Sequence, residues 1–331
     1  MSTQHMPDSL SNAASPQPNF FLVGAAKAGT TSLYNYLAQH PQIFMSPIKE
    51  PHFLADEIRA ENFADEHREK IALWEAELRV YLRGPMSERF PSGPVADWQD
   101  YLKLFRGAGE CRAIGEASPC YLWSKTAPRN MATRFPGAKI IVMLRNPVER
   151  AFAQHLHTLS VAKAPMSFSE HVDMALGSTS PKIGEFYPFL EFGFYGQQLR
   201  RYCDWFPGER IRVFLYENYL RDPSGLLLEI FRFLDVDETF VPDMSERHMQ
   251  SRVPRWFGVR QWLRRSGLWQ SASQRLGADL RRTLRPMVFR PRAGMALDTA
   301  DRARMVEFYR AEILDLASLL EMDLSSWLKN V

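Results

Sequence analysis

Cysteine is scarce in this 331-residue chain: Cys111, Cys120 and Cys203 are the whole set. The number is odd and no two are spaced as CxxC, so neither a disulfide framework nor a thiolate metal site is expected, and the thiols read as reduced and partly buried. No apolar run approaches the roughly 20 residues that a membrane-spanning helix needs, so no transmembrane segment is expected. Met1 to Pro18, rich in Ser, Asn, Gln and Pro, lacks the basic start and apolar core of a secretory leader. It reads as a disordered tail, and a cytoplasmic protein is expected. A dominant charge is missing too: 41 basic against 38 acidic side chains leave +3, too little to argue for nucleic acid as a partner. Internal repeats are absent.

What remains is globular in composition, with 45% hydrophobic and 24% charged residues. The chain is long enough for one large α/β domain with helical additions. Its organising stretch is Phe20 to Leu37, FFLVGAAKAGTTSLYNYL. Phe20 to Val23 read as a buried strand, a small-residue loop holds Lys27, and a helix opens at Gly29 to Ser32. A helix start after such a loop gathers unpaired N–H groups and the positive end of the helix dipole, which is an anion site. Lys27 adds a full charge, and Thr30, Thr31 and Ser32 add hydroxyl donors. A nucleotide-triphosphate loop needs Gly-Lys-Ser/Thr in that order. Here Lys27 precedes Gly29, as Lys27-Ala28-Gly29-Thr30-Thr31.

That order resembles the phosphosulfate loop of the sulfotransferases that use 3′-phosphoadenosine 5′-phosphosulfate (PAPS), whose loop reads Lys-x-Gly-Thr-Thr/Ser. A second segment, Lys49-Glu50-Pro51-His52-Phe53-Leu54, follows the strand expected at Ile43 to Met45. From its residues alone it is either a pocket edge holding an acid and a base or an exposed turn fixed by Pro51. It is similar to the Lys-Glu-Pro-His-Phe-Phe of heparan-type and bacterial carbohydrate-type sulfotransferases. The resemblance implies that Glu50 is the general base, with His52 as the competing base.

Lys139 to Leu144 is a continuous apolar, β-branched run, as expected of a parallel strand covered on both faces. An NTPase would end it with a magnesium-organising Asp; this strand ends at Arg145, and a guanidinium there can grip a phosphate with two parallel hydrogen bonds. The segment from Arg145 to Ala153, RNPVERAFA, resembles the family's Arg-(Asn/Asp)-Pro-x-(Glu/Asp)-Arg-Ala-(Tyr/Phe)-Ser, in which the first Arg and the final Ser hold the 3′-phosphate of PAPS. Ala153 stands where the family has Ser, so one donor is missing.

The remaining assignments rest on the resemblance. Gly115-Glu116-Ala117-Ser118-Pro119-Cys120-Tyr121 is similar to a segment lining the acceptor cleft, which makes Ser118 a weak substrate candidate. Ala117 stands where some heparan-type members have Lys. Tyr195 is either near the cleft or a core aromatic. A loop at about Ser251 to Arg255 closes over the 3′-phosphate end in relatives, so Arg252 and Arg255 are cofactor candidates among the many arginines that follow Arg247.

The fold expected is α/β, a mostly parallel central sheet flanked by helices in the P-loop-like sulfotransferase arrangement. Residues 1–18 form the tail, and residues 19–331 form a single domain with a helical insertion at about 55–105 and an Arg-rich helical part at about 247–331. The function implied is transfer of a sulfuryl group from PAPS to a hydroxyl or amine of a carbohydrate or other small-molecule acceptor, without a metal. Two alternatives stay open: a P-loop-like nucleotide kinase, and a non-catalytic nucleotide or polyanion binder.

Overall fold

The computed structural model describes residues 16–90, 92–161, 166–184, 186–245, 252–254, 289–291 and 296–329. In chain order the elements are β1 (Phe20–Gly24), α1 (Thr30–Leu37), β2 (Ile43–Met45), α2 (Arg68–Arg83), α3 (Trp98–Lys103), β3 (Ala113–Ala117), α4 (Ala127–Arg134), β4 (Lys139–Leu144) and α5 (Pro147–Val161). There follow α6 (Phe168–Gly177), α7 (Tyr195–Cys203), β5 (Ile211–Leu215), α8 (Tyr216–Arg221), α9 (Pro223–Leu234), β6 (Arg252–Pro254), β7 (Phe289–Pro291) and α10 (Thr299–Leu320).

Five strands pair in the order β2-β3-β1-β4-β5, all parallel. Every residue of β1, and all of β4 after Lys139, is buried, which is why these strands are apolar throughout and do not alternate. Phe20 lies opposite Gly115 in β3, and its ring fills the space that a Cβ at Gly115 would take. With β1 central and neighbours added on both sides, the C-terminal strand ends converge on one edge, where sheets of this kind bind ligands.

Helix starts follow local chemistry. The Asp97 carboxylate caps α3 through the Asp100 amide at 2.9 Å, and Ser167 with Glu170 forms the capping box of α6. The insertion at 55–105 consists of two 3₁₀ turns (Ala60–Asn62, Asp65–His67), α2, a loop and α3. At about 251–255 the structure departs from the expected loop: Arg252–Pro254 is a strand, paired antiparallel with Phe289–Pro291 and lying against α5. Arg255, most of the Arg-rich part and residues 1–15 lie outside the described residues. Cys203 is exposed and not partly buried. No helix among the described residues is long and apolar enough to cross a membrane.

Candidate active site

Three strand ends build the site. After β1 the chain turns through Ala25, whose amide donates to Met143 O at 2.5 Å, and Ala28, whose amide donates back to Ala25 O at 3.2 Å. Lys27 sits between them with φ 65°. Gly29 then caps α1 at φ 85°; a Cβ there would be strained and would stand 2.8 Å from the Tyr216 ring. Helix α1 opens with no side-chain cap and no acid in its first turn, so its leading amides stay available to an anion. Thr30 is buried and Thr31 half-buried beside this start. Ser32 is buried and its hydroxyl bonds to Tyr219, so it faces the fold. Burial lowers the Lys27 pKa to about 8; Glu50 opposes the shift, and the charges of Lys49 and Arg150 add to it.

Arg145 follows β4 and reaches across to the same loop, its Nη1 donating to Lys27 O at 3.0 Å. The guanidinium lies 4.9 Å from the Tyr216 ring centroid and 3.7 Å from a Glu149 carboxylate oxygen. Tyr195 is wholly buried and its hydroxyl donates to Arg145 O at 2.9 Å, so it takes the core position and braces the arginine's backbone. On α5, Ala153 is buried, and the backbone of Arg252 in β6 runs alongside that helix.

Two contributors escape a motif reading. Arg150 is wholly buried, with Nη1 on Gln154 at 2.5 Å and Nη2 on Phe189 O at 2.6 Å. Among the described residues no carboxylate lies within ion-pair distance of it, so its charge adds to the positive potential at Lys27. Tyr216 packs against both Gly29 and Arg145. The Arg145 to Ala153 segment contains Arg150, but its burial is set by Phe189 and Phe192 ahead of α7 and by Tyr309 of α10, far along the chain.

The third strand end is that of β2. Glu50 and His52 both have positive φ, 69° and 55°. Left-handed backbone at residues other than glycine costs on the order of 1–3 kcal/mol each and persists where the surroundings enforce it. Glu50 N–H donates to Ala117 O at 3.0 Å and Glu50 O accepts from Gly93 N–H at 3.3 Å, which clamps the segment between β3 and the loop after α2. The Glu50 carboxylate is paired through Oε1 with Lys49, while Oε2 lies 3.8 Å from His52 Nε2. Burial raises the Glu50 pKa, but Lys49, His52 and Lys27 together outweigh it, and the carboxyl is held below its ordinary value. His52 is pushed the other way, to about 4, by burial and the nearby Lys49 and Arg59 charges, against the pull of Glu50. At neutral pH Glu50 is therefore ionised and His52 neutral. The His52 ring is fixed by Cys120 Sγ, 2.9 Å from Nδ1, and by Ser92 Oγ, 3.4 Å from Nε2. Ser118 is wholly buried and its hydroxyl is spent on Glu116 at 2.9 Å.

Lys27 and Glu50 thus face one another's charge at the same edge of the sheet, with Arg145 beside them. The sequence profile of the sulfotransferase family matches residues 18–240, the stretch that holds all three. The chain belongs to the sulfotransferase family. It is 26% identical over 269 residues to carbohydrate sulfotransferase 15 of Mus musculus, 66% of this chain and 44% of that protein. Over 240 residues it is 25% identical to heparan sulfate glucosamine 3-O-sulfotransferase 6 of Homo sapiens, 72% of this chain and 57% of that one. The chain therefore spans about half the length of these two relatives. A crystal structure of a sulfotransferase from Alicyclobacillus acidocaldarius matches with TM-score 0.69 at 29% identity, covering 95% of this chain and all of that one. Membership in the sulfotransferase family agrees with the five-stranded parallel sheet, the leading Lys27 and the arginine at the end of β4.

Proposed function

We propose that this chain is a PAPS-dependent sulfotransferase acting on a hydroxyl or amine of a carbohydrate acceptor. The observation that carries the reading is the gathering of Lys27, Arg145 and Glu50 at the C-terminal strand ends, with Arg145 bonded to Lys27 O at 3.0 Å and Glu50 clamped to Ala117, beside an uncapped helix start. The donor set fits a bisphosphorylated nucleotide: α1 amides, Lys27, Thr30 and Thr31 for a 5′-phosphosulfate, and Arg145 for a 3′-phosphate; Arg252 and Arg255 stay candidates from the sequence resemblance alone. The names of the two relatives above support a carbohydrate acceptor. Bound there, PAPS supplies the sulfuryl group.

In this reading Glu50 accepts the acceptor's proton, because it is ionised and one of its oxygens stays clear of Lys49. Lys27 and the first turn of α1 meet negative charge as it builds on the departing phosphate. Neutral His52 contributes a hydrogen bond beside Glu50. Arg145 is attached to Lys27 O in the free chain and can change partners toward a phosphate.

The test is titration calorimetry of the purified chain with 3′-phosphoadenosine 5′-phosphate (PAP), run beside ATP with magnesium. Binding of PAP and not of ATP-magnesium is expected, with Lys27→Ala weakening it and Glu50→Ala leaving it intact while removing turnover. Binding of ATP-magnesium alone would overturn the assignment and favour a kinase.

A further inference from the structure

Glu116, the fourth residue of β3, is wholly buried, and its carboxylate accepts three hydroxyl hydrogens. Tyr101 and Tyr121 donate to Oε1 at 2.7 and 2.9 Å, and Ser118 donates to Oε2 at 2.9 Å. A hydroxyl has one proton to give. Once Ser118 and Tyr121 have given theirs to Glu116, only lone pairs remain on those oxygens. Both are used: His52 N–H donates to Ser118 Oγ at 3.3 Å, and Leu54 N–H donates to Tyr121 OH at 3.1 Å. Between these two amides, the Phe53 ring stacks on Tyr101 with centroids 4.4 Å apart and planes 17° from parallel.

We propose that Glu116 is a positioning residue, which by orienting the Ser118 and Tyr121 hydroxyls holds the Glu50–Leu54 backbone in the geometry that presents Glu50 and His52. The argument is one of hydrogen-bond direction. Ionised, as it is above about pH 7, the Glu116 carboxylate can only accept from its neighbours; an amide in its place must donate on one side, and the Ser118 hydroxyl on one side or the two tyrosine hydroxyls on the other must reverse or lose their partner. Whichever limb reverses, its hydroxyl proton competes with a backbone amide for the same space. The strained φ values at Glu50 and His52 are what this grip opposes. The inference rests on the function proposed above only in treating Glu50 as the base.

The experiment is amide hydrogen exchange resolved to single residues on the full chain, with PAP calorimetry and PAPS consumption on the same samples. At about pH 8, where Glu116 is ionised, Glu116→Gln accelerates exchange at His52 or at Leu54, on the limb that the amide nitrogen faces, by about tenfold, the factor that loss of roughly one net hydrogen bond gives. In Ser118→Ala the increase is confined to His52, and in Tyr121→Phe to Leu54. These two limb variants carry the test if Glu116→Gln folds poorly. In each variant the kcat for PAPS consumption, with a heparan oligosaccharide or water as acceptor, falls by about tenfold while KM for PAPS and Kd for PAP stay within about twofold.

Unchanged exchange at both amides in Glu116→Gln would overturn the proposal. So would acceleration spread evenly over β1 and β4 in the limb variants, because that is general loosening of the fold. Failure of the wild-type chain to bind PAP would instead overturn the cofactor assignment, and it would leave the exchange result standing on its own.

Discussion

Lys27 holds its proton weakly, because burial disfavours its charge and Lys49 and Arg150 add to the effect. Its pKa of about 8, against an ordinary 10.5, gives the pH dependence a sign: below about 8 the ammonium is present and an anion finds its partner, and above it the free protein loses that charge. PAP affinity is expected to fall as pH rises through about 8, measured by calorimetry at several pH values. In Lys27→Met the affinity is weaker below about pH 8 and this dependence is gone. Ala153 makes a second prediction of the same scale. A serine there could return its hydroxyl to the carbonyl one turn back on α5 when no ligand is present, so it adds no unsatisfied buried group. Ala153→Ser is expected to tighten PAP binding by about tenfold, the effect of one added hydrogen bond to a charged group. An unchanged Kd would remove position 153 from the phosphate site.

At the scale of elements, the strands that position the site depend on tight registration. Gly115 of β3 faces Phe20 of β1, whose buried ring has no room to withdraw. Gly115→Ala is expected to cost about 1–3 kcal/mol in denaturant unfolding, the range of an overpacked core, because β1 or β3 must shift to admit one methyl. The elements that position the site were readable from local pattern: β1 and β4 as unbroken apolar runs, α1 from the small-residue loop that opens it and β2 ahead of the Lys49–Leu54 segment. Those not readable had weak local signals. α8 is six residues long and follows β5 with no intervening loop residue, and α4 has few apolar side chains to show a period. β6 and β7 pair across a long separation in the chain, so neither shows a strand signal by itself.

Across the whole molecule, the buried Glu116 links the fold to pH. Burial raises its pKa to about 7 despite hydrogen bonds from Tyr101, Ser118 and Tyr121 that favour the ionised form. The unfolded chain releases this proton near 4.5 and the folded chain only near 7, so the folded state binds more protons in between. The group's contribution is therefore full below about 4.5 and is lost as pH rises through about 7, a change on the order of 3 kcal/mol. Chemical denaturation at about pH 5 and about pH 8 is expected to show the wild type losing stability over that interval from this source, with the loss absent in Glu116→Gln.

The sequence by itself determined the α/β class, the strand-to-helix loop around Lys27, the cation at the end of β4 and the short segment that carries Glu50 and His52. Each of these is a matter of spacing within a few residues. Only the tertiary structure decided which hydroxyls and charges are free. Ser32 turns to Tyr219, Ser118 to Glu116 and Tyr195 to the Arg145 backbone, while Lys27 meets Glu50 from another strand. A hydroxyl's partner, like a buried group's pKa, is set by what packs against it. In this fold those neighbours come from strand ends and helices far apart in the chain.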